Sequence, residues 1–134
     1  MSEPTFVEEA DREWETWPEQ LVEQRGRIFW KTLVSGDVTP SDGLTLGVAR
    51  LSPGEGLRAH RHEQAEVYLF LAGEGVVTIA GDARSVGPGA AVVLPGNAVH
   101  SCANSCASEL RFAYVLAADS FADVDYLFEP PGDS

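Results

Sequence analysis

From Gly26 onward, apolar residues come in short runs cut by turn-forming residues, a pattern that predicts an all-β fold. Leu44, Leu46 and Val48 alternate with Thr45, Gly47 and Ala49, and the run stops at Ser52-Pro53-Gly54. Further runs follow at 57–62, 66–71, 76–80, 90–94, 98–102 and 110–117. Between them, Ala72-Gly73-Glu74-Gly75, Gly81-Asp82, Gly87-Pro88-Gly89 and Pro95-Gly96-Asn97 supply residues suited to tight turns. No helix of ordinary length fits between residues 43 and 117. Residues 7–25 read differently, as a short helix or two, with Trp14 and Trp17 three apart on one face and Pro18 as a break. Such a segment serves either as an amphipathic cover on the main body or as a partner-binding helix. The expected division is an N-terminal helical or extended segment over 1–25, a β domain over 26–128 and a loose tail over 129–134.

Charge changes the picture of partners. The chain has 134 residues and a net charge of −12, one domain's worth of protein with a surplus of acid. That balance opposes nucleic acid and anionic membranes, which both select clustered Lys and Arg. The acid is unevenly placed: residues 1–25 hold eight acids and two Arg, and 119–134 hold five acids and no base. The middle, 26–118, is left with eight acids and seven bases. Apolar runs fall far short of the roughly 20 residues of a spanning helix, and no leader pattern precedes them. A soluble cytoplasmic protein is expected.

The three histidines carry the candidate chemistry. His60 and His62 lie two apart on a strand and project from one face. Glu66 opens the next strand, sharing its face with Tyr68 and Phe70, and His100 lies on a third strand with Ala98 and Cys102. If these strands curl into a small barrel, three imidazoles and a carboxylate converge. Such a set suits a divalent transition metal (Fe, Mn, Ni, Co, Cu or Zn) over Mg or Ca, and it leaves coordination positions open for a substrate. Cys102 reads as a packed thiol, with an extra metal ligand or redox-sensitive group as the alternative. Arg50, Arg58 and Arg111 could reach a substrate carboxylate, although a solvated strand face explains each.

These residues resemble the two motifs of the cupin superfamily. Gly54, His60, His62, Glu66 and Gly73 match the first with every gap in place, and Gly89, Pro95, His100 and Asn104 match the second. Asn97 stands where the second motif has glycine, and both residue types tolerate a left-handed turn. The resemblance implies a single antiparallel cupin (jelly-roll) barrel, a metal held by His60, His62, Glu66 and His100, and a homodimer paired through strands near the N-terminus. Further stretches at 41–47, 65–68, 95–100 and 121–126 are similar to the short cupins that cleave dimethylsulfoniopropionate (DMSP) to acrylate and dimethyl sulfide. That likeness implies a small carboxylate substrate, Tyr68 as general base and Tyr126 in the pocket; the acidic N-terminal segment is less like that family. Trp30, Phe70 and Tyr126 offer aromatic faces for a sulfonium group. Two other functions use the same ligands: an Fe- or Ni-dependent dioxygenase, and a metal- or small-molecule-binding cupin without turnover.

Overall fold

The computed structural model describes residues 4–130. Two antiparallel sheets face each other, as the turn-punctuated pattern predicts. The six-stranded sheet runs in the order β1 (Glu15–Thr16), β2 (Phe29–Val34), β3 (Thr45–Leu51), β10 (Leu110–Leu116), β5 (Glu66–Ala72) and β8 (Ala91–Leu94). The five-stranded sheet runs β11 (Leu127–Phe128), β4 (Gly56–Arg61), β9 (His100–Asn104), β6 (Gly75–Ile79) and β7 (Asp82–Val86). This is a jelly-roll barrel. Among the described residues no helix is long and apolar enough to cross a membrane.

Alternation places the core. On β10 Leu110, Phe112, Tyr114 and Leu116 point inward, and on β5 Glu66, Tyr68 and Phe70 do. Phe112 meets Tyr68 at 4.6 Å and Phe70 at 5.2 Å between ring centroids, so a fused aromatic cluster fills the space between the sheets. The opposite face of β5 and β8 leaves Val67, Leu69, Leu71 and Val93 partly exposed.

β2, β7 and β11 do not stand out as separate runs in the hydrophobic pattern. β7 is an exposed edge strand, Asp82-Ala83-Arg84-Ser85-Val86, whose polar sequence carries no core-facing alternation. Its register comes from pairing with β6.

The N-terminal segment departs most from expectation. Its helical parts are 3₁₀ turns at Glu9–Asp11 and Glu19–Leu21 and a single α-helical turn, α1 (Val22–Arg25). Between them the chain is extended and adds β1 to the edge of β2, Glu15 opposite Trp30 and Thr16 opposite Phe29. Trp14 and Trp17 therefore share no face. Trp14 lies outside the barrel, where Arg50, Lys31 and Arg111 stack on its ring at 4.2, 4.8 and 5.6 Å; Trp17 packs on Trp30 inside, at 4.6 Å. Strand pairing overrode a helical spacing that three residues alone could not enforce. The strap ends at Gly26, whose φ of +95° and close approach to the Gly56 carbonyl leave no room for a side chain. The tail predicted over 129–134 is described only as far as residue 130.

Candidate metal centre and cavity

The site bridges the two sheets. β4 and its end supply His60 and His62, β9 supplies His100, and β5 of the other sheet supplies Glu66 and Tyr68. His60 sits directly across from His100 in the β4–β9 ladder. A register irregularity between Leu57 and His60 lets both of these residues face inward although they are three apart. His100 follows the Pro95-Gly96-Asn97 turn, where Asn97 adopts φ 65° and donates its N–H to the His62 carbonyl at 2.7 Å. Asparagine performs the left-handed turn expected of glycine there.

All three imidazoles are buried, and one ligand nitrogen from each lies within 4.8 Å of the others. Each Nδ1 contacts a backbone carbonyl: His60 that of Arg58 at 2.8 Å, His62 that of Gln64 at 2.9 Å, His100 that of Ala98 at 2.9 Å. A carbonyl only accepts, so each Nδ1 carries the proton and each Nε2 is left with its lone pair. The Nε2 atoms of His60 and His100 are buried without a partner. His62 Nε2 lies 3.0 Å and His100 Nε2 3.6 Å from Glu66 Oε1. Two lone-pair nitrogens facing a carboxylate at these distances call for a cation between them, a proton or a metal ion. The arrangement is that of imidazoles oriented by outer hydrogen bonds toward a shared ion. These residues fit a divalent transition metal.

Burial pushes the His60 imidazole down to about 3, aided by the neighbouring His100, while the Arg58 carbonyl opposes the shift. His60 is thus neutral and ready to ligate. Burial works to raise the Glu66 carboxyl, but His100 and His62, once a proton is held between them and the carboxylate, outweigh it and hold Glu66 below the ordinary range. For His60 an unfolded chain takes up a proton near 6.5 and the folded one only near 3. Metal-stripped protein is therefore expected to lose stability as pH falls through that interval, by up to about 1.4 kcal/mol per unit. Urea midpoints against pH measure this, and His60→Gln should flatten the dependence.

Beside the cluster lies a small cavity of about 30 Å³, room for one or two water molecules as it stands. Glu66, Tyr68, Tyr126, Trp17, Trp30 and Phe112 are among its walls. Tyr68 stands 6.2 Å from His100 between ring centroids, and Tyr126 stands 5.3 Å from His60 and 5.4 Å from His62. Tyr126 arrives because β11 pairs with β4, Phe128 opposite His60. Both phenols are raised well above the usual tyrosine range, first by burial and then by the Glu66 charge. Phe70 packs against Tyr68 and Phe112 away from the cavity walls. Trp17 and Tyr114, not expected there, are walls; Gly47, whose Cβ would strike the Tyr114 ring at 2.3 Å, makes room for the latter.

The remaining candidates stand apart. Arg50 and Arg111 are engaged outside with Trp14, Arg111 also with Glu9, and Arg58 is exposed. Cys102 is buried, its thiol pushed up to about 12 by desolvation. Cys106 is held below the usual thiol range, first by the Glu74 backbone N–H and then by Ser108. Iodoacetamide is expected to label Cys106 and spare Cys102 in the folded protein, as peptide mass analysis would show.

Residues 47–116 match the family described as the Cupin domain. The chain belongs to the cupin family. A curated cupin relative is the dimethylsulfoniopropionate lyase DddW of Ruegeria pomeroyi, 40% identical over 103 residues that span 77% of this chain and 67% of the relative. Solved structures agree on the fold. The polyketide cyclase RemF of Streptomyces resistomycificus superposes with a TM-score of 0.76 at 19% identity, covering 98% of this chain and 89% of its own. A predicted oxalate decarboxylase of Thermotoga maritima gives 0.74 at 21% identity, covering 85% and 99%. This cupin thus shares its barrel with proteins described by different activities, and its likeness to a DMSP lyase is carried by sequence.

Proposed function

We propose that this cupin is a metal-dependent lyase that removes a proton from a small carboxylate and expels a β-substituent, with DMSP as substrate and acrylate and dimethyl sulfide as products. The observation that carries the reading is the cavity itself. Its walls include Glu66 and Tyr68, which share a strand face, and Glu66 in turn contacts the oriented, ion-seeking imidazoles of His62 and His100. The 40% identity to the Ruegeria lyase supports the substrate.

His60, His62, Glu66 and His100 would hold the metal, which when bound supplies Lewis acidity that steadies negative charge on a carboxylate and favours nearby phenolates. Tyr68 is the general base. Its oxygen accepts the proton from the carbon next to the substrate carboxylate. The freed electron pair forms the carbon–carbon double bond, and the carbon–sulfur bond breaks with its electrons leaving on dimethyl sulfide. Burial and Glu66 keep the Tyr68 phenol protonated on their own account, so base strength appears only once positive charge is supplied beside it. Tyr126, beside His60 and His62, walls the cavity and keeps water from the reacting carbon.

Headspace gas chromatography over protein loaded in turn with Fe, Mn, Ni, Co and Zn tests the proposal. Dimethyl sulfide released from DMSP without oxygen uptake is the expected result. No volatile product with any of these metals, or oxygen consumption with a diketone or thiol, would overturn it.

A further inference from the structure

Trp17 is the only wall of the cavity, among the described residues, that comes from the N-terminal strap. It lies outside residues 47–116 that match the family. Its place is fixed by main-chain structure: β1 pairs with β2, and the Thr16 hydroxyl donates to the Ile28 carbonyl at 2.8 Å. The ring is 4.6 Å from Trp30 and 5.7 Å from Tyr126. Trp17 also lines a surface depression that contains Arg25, and Arg25 is not among the cavity walls. With Phe121 and Tyr126, which also line both, the indole forms the partition between cavity and exterior. The Arg25 guanidinium stacks on it at 4.7 Å and on Phe128 at 5.0 Å, clamping strap to barrel.

Two further observations say what this partition is for. The indole N–H groups of Trp17 and Trp30 are both buried without an acceptor, a cost that a purely packing role filled by Phe or Leu would avoid. Tryptophan presents the strongest aromatic face toward a cation, which is a reason to retain it. Glu66 is the only charged wall among the described residues, and it is engaged with His62 and His100. A cationic group entering the cavity therefore finds aromatic faces and no free carboxylate.

We propose that Trp17 is a specificity-determining residue: with Trp30 and Tyr126 it forms an aromatic cage for the methylated, positively charged end of the substrate. The strap, outside the matched barrel, then decides which tail is accepted. This rests on the lyase reading for the carboxylate end of the ligand alone; the cage itself stands on the walls just described.

The test titrates trimethylsulfonium chloride into the purified full chain and follows tryptophan fluorescence, with sodium chloride at equal ionic strength as the reference. A saturable response is expected in the native protein, weakened in Trp17→Phe and lost in Trp17→Leu. With DMSP, Trp17→Leu should raise KM about tenfold or more, more than it lowers kcat, with metal content unchanged. Inhibition by 4-methylpentanoate, the analogue of the same shape whose branched tail is uncharged, should change less than DMSP affinity in Trp17→Phe. A native protein with no response beyond sodium chloride, or variants that bind the cation as the native protein does, would overturn the inference. Should Trp17→Leu fail to fold, the cation-to-neutral ratio in Trp17→Phe decides. A protein that binds the cation through Trp17 but releases no dimethyl sulfide leaves the cage standing and removes the lyase.

Discussion

Tyr68→Phe is expected to cut dimethyl sulfide release by about 10²–10⁴-fold, the range lost with a general base, while leaving metal content and fold intact. The substitution deletes one oxygen. Tyr68 is 2% exposed, opposite Tyr114 on β10 and Val92 on β8, and its ring packs on Phe112 at 4.6 Å. A phenylalanine keeps each of those contacts, so the loss would fall on kcat rather than on stability. The native enzyme should also gain rate with rising pH, because burial and the Glu66 charge raise the phenol and its reactive form is the deprotonated one. Elemental analysis, thermal melting and pH–rate profiles of the two proteins provide the measurement. A variant that keeps full activity, or one that loses its metal, would exclude Tyr68 as the base.

His62→Ala is expected to remove both the metal and a large part of the stability. Its ring contacts Glu66 Oε1 at 3.0 Å, with 1% of the His62 side chain and 4% of the Glu66 side chain exposed. Removing the imidazole leaves a buried carboxylate with only the longer 3.6 Å contact to His100. Breaking such a pair costs about 3–5 kcal/mol, well beyond the volume lost. The double variant His62→Ala/Glu66→Ala should recover part of that, because the stranded charge goes with it. Urea denaturation and metal content report the two losses separately. Undiminished stability in the single variant would mean that Glu66 is neutral in this barrel.

Much of the fold was legible because strand period and turn chemistry agreed. The expected runs at 66–71 and 110–117 match β5 and β10 to within a residue or two, since inward Tyr68, Phe70, Phe112 and Tyr114 alternate cleanly with outward neighbours. The histidines were legible for a related reason: a two-residue spacing on a strand fixes a shared face. Less was readable where pairing, rather than sequence, makes the strand. β7 lacks an apolar face of its own, β11 is two residues long, and β1 exists only as an addition to β2. Trp14 and Trp17 have helical spacing yet lie on opposite sides of an extended strap.

By itself, the sequence determined the class of fold, the turns, and the four polar residues that meet in the barrel, because each of these follows from local period, backbone freedom or donor chemistry. It also separated the charge from the site along the chain: the surplus of acid falls in segments 1–25 and 119–134, and of the four residues that meet at the centre Glu66 is the single acid. Only the tertiary structure decided which nitrogen of each imidazole is free, since that depends on carbonyls brought alongside by the register of β4 and β9. The same holds for the cavity walls. Trp17, Trp30, Tyr114 and Tyr126 are up to 109 positions apart in the chain, and no local preference relates them. Long-range strand pairing brings them to one space.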